Sequence, residues 1–171
     1  EHHDINNVIN NSHLALNCKY GMAAPTTTHN PFVCGALSRL GLLTSLDFDM
    51  QTQARFLVAA YNLAIVSPQS FEQLLVLEGE GIVDERVHVL HAFIEELVGA
   101  ARLECPDLPS WSVEFVALLL AKDQRNTFGF SAVMPESGER QVRAYAMYAQ
   151  ASLINHNCLP NACRYVSDLK I

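Results

Sequence analysis

The sequence lacks a long apolar stretch. Its longest apolar run, Val113–Ala121, contains Glu114, whereas a helix that crosses a bilayer needs about 20 mostly apolar residues. Residues 1–12 are polar and rich in asparagine, without the apolar centre of a secretory leader. These absences predict a protein with no membrane partner, located in the nucleus, the cytoplasm or both.

Positive charge is also scarce. The chain has 11 Lys and Arg against 18 Asp and Glu, which gives a net charge of −7. Binding to a nucleic-acid backbone depends on clustered Lys and Arg, so we expect no direct contact with nucleic acid. An acidic surface suits a basic, lysine-rich peptide partner, although mild acidity also serves solubility alone.

The cysteines do not form an obvious disulfide framework. There are five of them, an odd number in a sequence without a secretory leader. We therefore expect a reducing compartment, in which the cysteines are buried or bound to metal.

Helical spacing dominates residues 35–125. The first 33 or so residues have loop and turn chemistry and are expected to be irregular. Apolar residues then recur three and four positions apart. The predicted helices cover about 50–66, 68–77, 84–105 and 111–123, with Asp49, Ser67 and Ser110 as the N-caps of the first, second and fourth. Gly79 and Gly81 are expected to stop the second helix.

The pattern becomes extended after Asn126. The runs Thr127–Met134 and Gln141–Tyr148 are rich in aromatic and β-branched residues, and residues 135–139 have turn chemistry between them. This arrangement predicts a β-hairpin. The expected fold class is therefore mainly α with a small β portion.

The most specific motif is Asn155-His-Asn-Cys-Leu-Pro-Asn161, which fits the pattern N-H-x-C-x-P-N. Five fixed positions include the rare types Cys and His, so a chance match is well below about one in ten thousand for such a chain. The motif resembles the signature of SET-domain protein lysine methyltransferases.

Three other segments extend the resemblance to the SMYD branch, with plant members most similar. Residues 152–156, Ser-Leu-Ile-Asn-His, resemble the entry to the family motif, and residues 125–128, Arg-Asn-Thr-Phe, resemble a SMYD strand start. Residues 31–37 resemble the last metal-binding stretch of a MYND zinc finger. The resemblance implies a degenerate MYND remnant at 1–34, a helical insert at 35–125 and a partial SET core at 126–171.

The resemblance also implies an activity and its residues. The activity is N-methylation of a protein lysine, in a histone or another protein, with S-adenosylmethionine (SAM) as cofactor. Asn155 and His156 match cofactor contacts, and Asn126 matches an asparagine that also holds SAM. Ser152 and Leu153 are implied as weaker contacts through their backbones. Cys158 is implied as one ligand of a structural zinc in the full-length protein.

Two parts of the family pattern do not occur in the sequence: an early Gly-x-Gly strand, and a later Gly-Glu-Glu segment with the channel tyrosine. We therefore expect a piece of a longer protein, inactive alone, with an incomplete active site. The alternative is a non-enzymatic protein-interaction module that contains a catalytically dead SET remnant. A zinc cluster of His156, Cys158 and Cys163 is a further alternative, but it leaves the rest of the motif unexplained.

Zinc content tests the implied metal sites. A structural zinc needs about four ligands, and the finger-like segment offers only Cys18, His29 and Cys34. The isolated 171-residue chain should therefore contain well under one zinc per chain by elemental analysis. One tightly held zinc per chain would show that His29, Cys34 or Cys163 contributes more than this interpretation allows.

Overall fold

The structure, a computed structural model, describes residues 30–133, 138, 140–147 and 152. Helices α1 to α5 and a 3₁₀ turn precede two strands within this part of the chain. The helices are Pro31–Leu40 (α1), Phe48–Val66 (α2), Pro68–Leu75 (α3), Glu85–Arg102 (α4) and Val113–Asn126 (α5), and the 3₁₀ turn is Leu42–Ser45. The strands are Thr127–Val133 (β1) and Arg140–Met147 (β2). The mainly helical class is confirmed for these residues.

The helix starts follow capping chemistry. Asp47, Asp84 and Ser112 each accept a hydrogen bond from the backbone N–H three residues later, which satisfies a donor that the helix leaves open. Asp84 was predicted as the first residue of its helix and is its cap, whereas the caps predicted at Asp49 and Ser110 lie two residues from the observed ones. Ser67 and Pro68 do begin α3, but the Ser67 hydroxyl donates to the Ser70 hydroxyl instead of capping the backbone.

Helix α1 was predicted only in part, because the helical region was expected to begin at residue 35. The expectation of irregular chain up to residue 34 is wrong for residues 31–34, which form the first turn of α1. Asn30 caps this helix by accepting from the N–H groups of Phe32 and Val33, and Pro31 occupies the first helical position. The Asn-Pro pair that suggests a turn therefore marks a helix start.

Helix α2 is the centre of the core. It contacts α3, α4 and α5, and its residues from Phe56 to Leu63 are all buried. The Asn62 side chain ties α1 to it by accepting from the Asn30 N–H at 2.6 Å and donating to the Val58 carbonyl at 2.9 Å. A buried amide needs such partners, so this pair also fixes where the chain enters the bundle.

An aromatic cluster joins α2, α3 and α5. The Trp111 ring lies 4.9 Å from Tyr61, 5.4 Å from Phe115 and 6.0 Å from Phe71, measured between ring centroids. The Tyr61 hydroxyl donates to the Pro109 carbonyl at 2.6 Å, and burial raises its pKa to about 12. This cluster anchors the loop between α4 and α5, which sets the position of α5.

The predicted hairpin is confirmed in its strands. β1 and β2 pair antiparallel, with Thr127 opposite Met147, and the register shifts between Phe130 and Ser131. Met147 is fully buried against the helical core. The first residue of β1 directly follows the last residue of α5, so the hairpin begins at the end of a core helix.

No helix among the described residues combines the length and the apolar character that a bilayer crossing needs.

Replacing Trp111 by Ala should lower the free energy of unfolding by about 3–5 kcal/mol, because it leaves a large cavity between three helices. Phe48→Ala is the matched control, since the Phe48 side chain is 82% exposed and its loss should change stability by no more than about 0.5 kcal/mol. Urea denaturation followed by circular dichroism measures both. Equal effects of the two substitutions would contradict the aromatic cluster.

Candidate cofactor-binding site

The end of α5 brings together two of the predicted site residues. The Ser152 hydroxyl donates to the backbone carbonyl of Asn126 at 3.2 Å, although the two residues are 26 positions apart. Leu153, Asn155, His156 and Cys158 lie outside the described residues, and their roles stay predictions. The contact nevertheless places Ser152, three residues before the motif, directly at the α5–β1 junction.

Asn126 does not lie at a strand start, where the resemblance had placed it. It is the last residue of α5, and its side chain is only 6% exposed. Its amide nitrogen donates to the carbonyls of Glu78 and Lys122, both at 2.8 Å. An asparagine amide has two N–H donors, and both are used here. What the side chain can still offer a ligand is therefore the acceptor Oδ1.

The Glu78 carbonyl belongs to a segment, residues 77–81, that crosses α5 at very short range. A Cβ added to Gly79 would lie 2.7 Å from the Lys122 backbone nitrogen, and one added to Gly81 would overlap the Ala117 backbone. Gly79 also has a φ of 149°, which residues with side chains rarely adopt. We name residues 77–81 the crossing segment. Its two glycines permit this contact, and α3 ends at Leu75, before the predicted stop.

Lys122 is the second side chain of α5 that binds the crossing segment. Its ammonium group donates to the Leu77 carbonyl, and the residue is 4% exposed. Loss of solvent on burial lowers the pKa of Lys122 below its ordinary value. Lys122 and Asn126 are four residues apart and therefore share one face of the helix. Together they bind two successive carbonyls of the crossing segment.

A further polar contact lies on the strand side of the α5–β1 junction. The Thr127 hydroxyl donates to Asp123 Oδ1 at 2.6 Å. Loss of solvent raises the pKa of the Asp123 carboxyl, and the hydrogen bond from Thr127 opposes that shift. This bond links the last turn of α5 to the first residue of β1. It therefore stabilises the backbone on both sides of Asn126.

The described residues offer no metal site. No three His, Cys, Asp or Glu side chains in this part of the chain lie close enough together to hold an ion. Cys34 is buried in α1, and its suggested finger partners Cys18 and His29 lie outside the described residues. The His91 side chain on α4 has its Nε2 2.9 Å from the Trp111 carbonyl and so contacts the core.

Sequence reasoning missed Lys122 and the second role of the two glycines. Lys122 gives no local signal, because a lysine near the end of a helix is usually solvated and favoured there by the helix dipole. Gly79 and Gly81 were interpreted as a helix stop. Two glycines separated by one residue can also indicate close backbone approach, and that alternative was the available signal.

The chain is similar to a lysine methyltransferase. It is 41% identical over 151 residues to the protein named histone-lysine N-methyltransferase ASHR2 from Arabidopsis thaliana. The similarity covers 81% of this chain and 37% of that protein, so the chain spans well under half of the relative's length. It supports the lysine methyltransferase family that the C-terminal motif indicates. The SMYD-like branch and the domain division stay predictions.

Two further comparisons gave no match. No family model matches the chain, and no solved structure matches it.

The crossing segment can be tested through its glycines. Gly79→Ala and Gly81→Ala should each lower the free energy of unfolding by more than about 1 kcal/mol, because the new methyl group meets the backbone of α5. Gly99→Ala is the control. A Cβ at Gly99 has nothing within 4 Å, so in mid-helix it should stabilise the protein by about 0.5–1 kcal/mol. Denaturant titration measures all three, and neutral effects at Gly79 and Gly81 would contradict the close crossing.

Proposed function

We propose that this chain supplies the helical region and part of the cofactor pocket of a SAM-dependent protein-lysine N-methyltransferase. The observation that carries the proposal is the hydrogen bond from Ser152 to Asn126. It joins two segments that resemble cofactor-binding stretches of one family. The relative's name, which specifies histone lysines, supports a protein substrate such as a histone tail, and a histone substrate would place the protein in the nucleus.

The chemistry at Asn126 fits this cofactor. The amino-acid end of SAM carries an ammonium group, which is a hydrogen-bond donor, and Asn126 retains an acceptor after its two N–H groups are used. A hydrogen bond between a charged and a neutral group contributes more than one between two neutral groups. We therefore assign Asn126 to the ammonium end of the cofactor.

The remaining residues divide between the cofactor and the architecture. In this proposal Asn155 and His156 hold the cofactor, and Ser152 and Leu153 contribute through the backbone. Cys158 is one zinc ligand in the full-length protein. SAM supplies the methyl group, while the protein aligns it with a deprotonated lysine amine and excludes water. The net negative charge of the chain favours approach of a basic substrate peptide.

A non-enzymatic interaction module is the second candidate. The observation that favours it is that apolar residues at both ends of the crossing segment are exposed: Val76 is 72% exposed, Ile82 is 82% exposed and Val83 is 38% exposed. Exposed apolar residues are the usual material of partner-binding surfaces. A full-length protein that binds protein partners but never binds SAM would favour this candidate.

Replacing Asn155 by Ala in the full-length protein should weaken SAM binding about ten- to hundredfold. The substitution leaves a buried polar group of the cofactor unpaired, which costs about 1–3 kcal/mol. His156→Ala should also weaken binding. Calorimetry measures the affinity, methylation of a histone substrate measures the activity, and circular dichroism checks the fold.

His88→Ala is the matched control for the histidine substitution. His88 is exposed on α4, so its loss should change neither SAM affinity nor methylation. Wild-type affinity in a folded Asn155→Ala variant would refute the cofactor role of the motif.

A further inference from the structure

Lys122 binds both the crossing segment and the Asn126 side chain. Its ammonium group donates to the Leu77 carbonyl, and its own backbone carbonyl accepts one of the two Asn126 amide bonds. The other Asn126 bond goes to Glu78, the residue that follows Leu77. Lys122, Asn126 and the 77–78 peptide therefore form one hydrogen-bonded unit.

A lysine is energetically unfavourable at this buried position unless its ammonium group has a partner. Removing an ammonium group from water is unfavourable unless it finds a partner, and Lys122 is 4% exposed. A leucine or methionine would fill the same space without that penalty. What lysine adds is a donor at the end of a long side chain, which can reach across to a backbone carbonyl on another segment.

The Glu78 carbonyl can bind the Asn126 amide only while the crossing segment keeps its position on α5. The crossing segment meets α5 through backbone rather than side chains at Gly79 and Gly81, so no interlocking side chains hold these two positions. The buried Leu77 side chain holds one end of the segment in the core, and the polar bonds at the Leu77 and Glu78 carbonyls hold the peptides that follow it. A shift of the segment by about one ångström would lengthen the 2.8 Å bond between Glu78 and Asn126 beyond the ordinary range.

We propose that Lys122 is a positioning residue for cofactor binding, which holds the crossing segment so that the Glu78 carbonyl fixes the Asn126 amide with its Oδ1 toward the ligand. The inference rests on the proposed function. It also sets a specificity. With both Asn126 N–H groups engaged, the side chain accepts from a donor such as the cofactor ammonium and offers nothing to a carboxylate.

A double-mutant cycle on SAM affinity in the full-length protein tests the proposal. The variants are Lys122→Met, which keeps the aliphatic stem, Asn126→Ala, and the two combined. Lys122→Met should raise the SAM dissociation constant about two- to tenfold, as expected for one misplaced hydrogen bond. In the Asn126→Ala background the same substitution should add less than about twofold, because a residue that acts through Asn126 has no effect once Asn126 is gone.

Two controls separate positioning from general damage. Arg86→Met also removes one positive charge from a helix, but Arg86 is exposed in the first turn of α4 and its loss should leave SAM affinity unchanged. In steady-state methylation, Lys122→Met should raise the KM for SAM and leave the KM for the peptide substrate unchanged. A collapse of the bundle would alter both constants.

A second variant and a measurement on the wild-type protein keep the proposal testable if Lys122→Met does not fold. Lys122→Gln is the second variant: it keeps a polar end, but its amide nitrogen is one bond short of the lysine nitrogen, and the same affinity loss is expected. Nuclear magnetic resonance of the wild-type protein provides a test without substitution. The Asn126 side-chain amide protons should exchange slowly with solvent, and fast exchange would overturn the proposal.

The possible failures are distinguishable. A wild-type protein that does not bind SAM overturns the proposed function and this inference with it. A wild-type protein that binds SAM, together with additive losses in the cycle, an unaffected Lys122→Met or an equal loss in Arg86→Met, overturns only the positioning role. Non-additive loss with an unchanged peptide KM supports it.

Discussion

The hydrogen bonds of Asn126 connect three parts of the molecule. Its side-chain amide joins the end of α5 to the crossing segment and to the preceding turn of the same helix. The backbone carbonyl of Asn126 accepts from Ser152, and β1 begins at the next residue. A buried amide without partners would be costly, so this geometry is stable only while the crossing segment remains on α5.

The helical core holds α5 in that place. The aromatic cluster around Trp111 fixes the loop that leads into α5, and α2 packs against α3, α4 and α5 at once. The buried face of α5 then directs Lys122 and Asn126 toward the crossing segment and not toward water. In this account, the helices contribute to function by positioning one helix terminus.

Local patterns predicted most of the elements and little of the candidate site. The amphipathic spacing of α4 and the β-branched runs of the hairpin are properties of neighbouring residues, and both were predicted nearly to their ends. The start of α1 was missed because Asn30 and Pro31 serve equally in a turn and in a helix start. Asn126 was singled out by resemblance alone, and its partner Glu78 lies 48 positions away. No local signal specifies which carbonyl a lysine or asparagine will reach at that separation.

Amide hydrogen exchange of the full-length protein, with and without SAM, tests the central claim most directly. Exchange reports local opening, which a bound ligand suppresses where it makes contact. The account predicts that SAM slows exchange in peptides covering residues 122–128 and 152–156, while the exposed turns of α1 stay unchanged. Exchange that SAM leaves unaltered at the α5–β1 junction, in a protein that binds SAM, would contradict it.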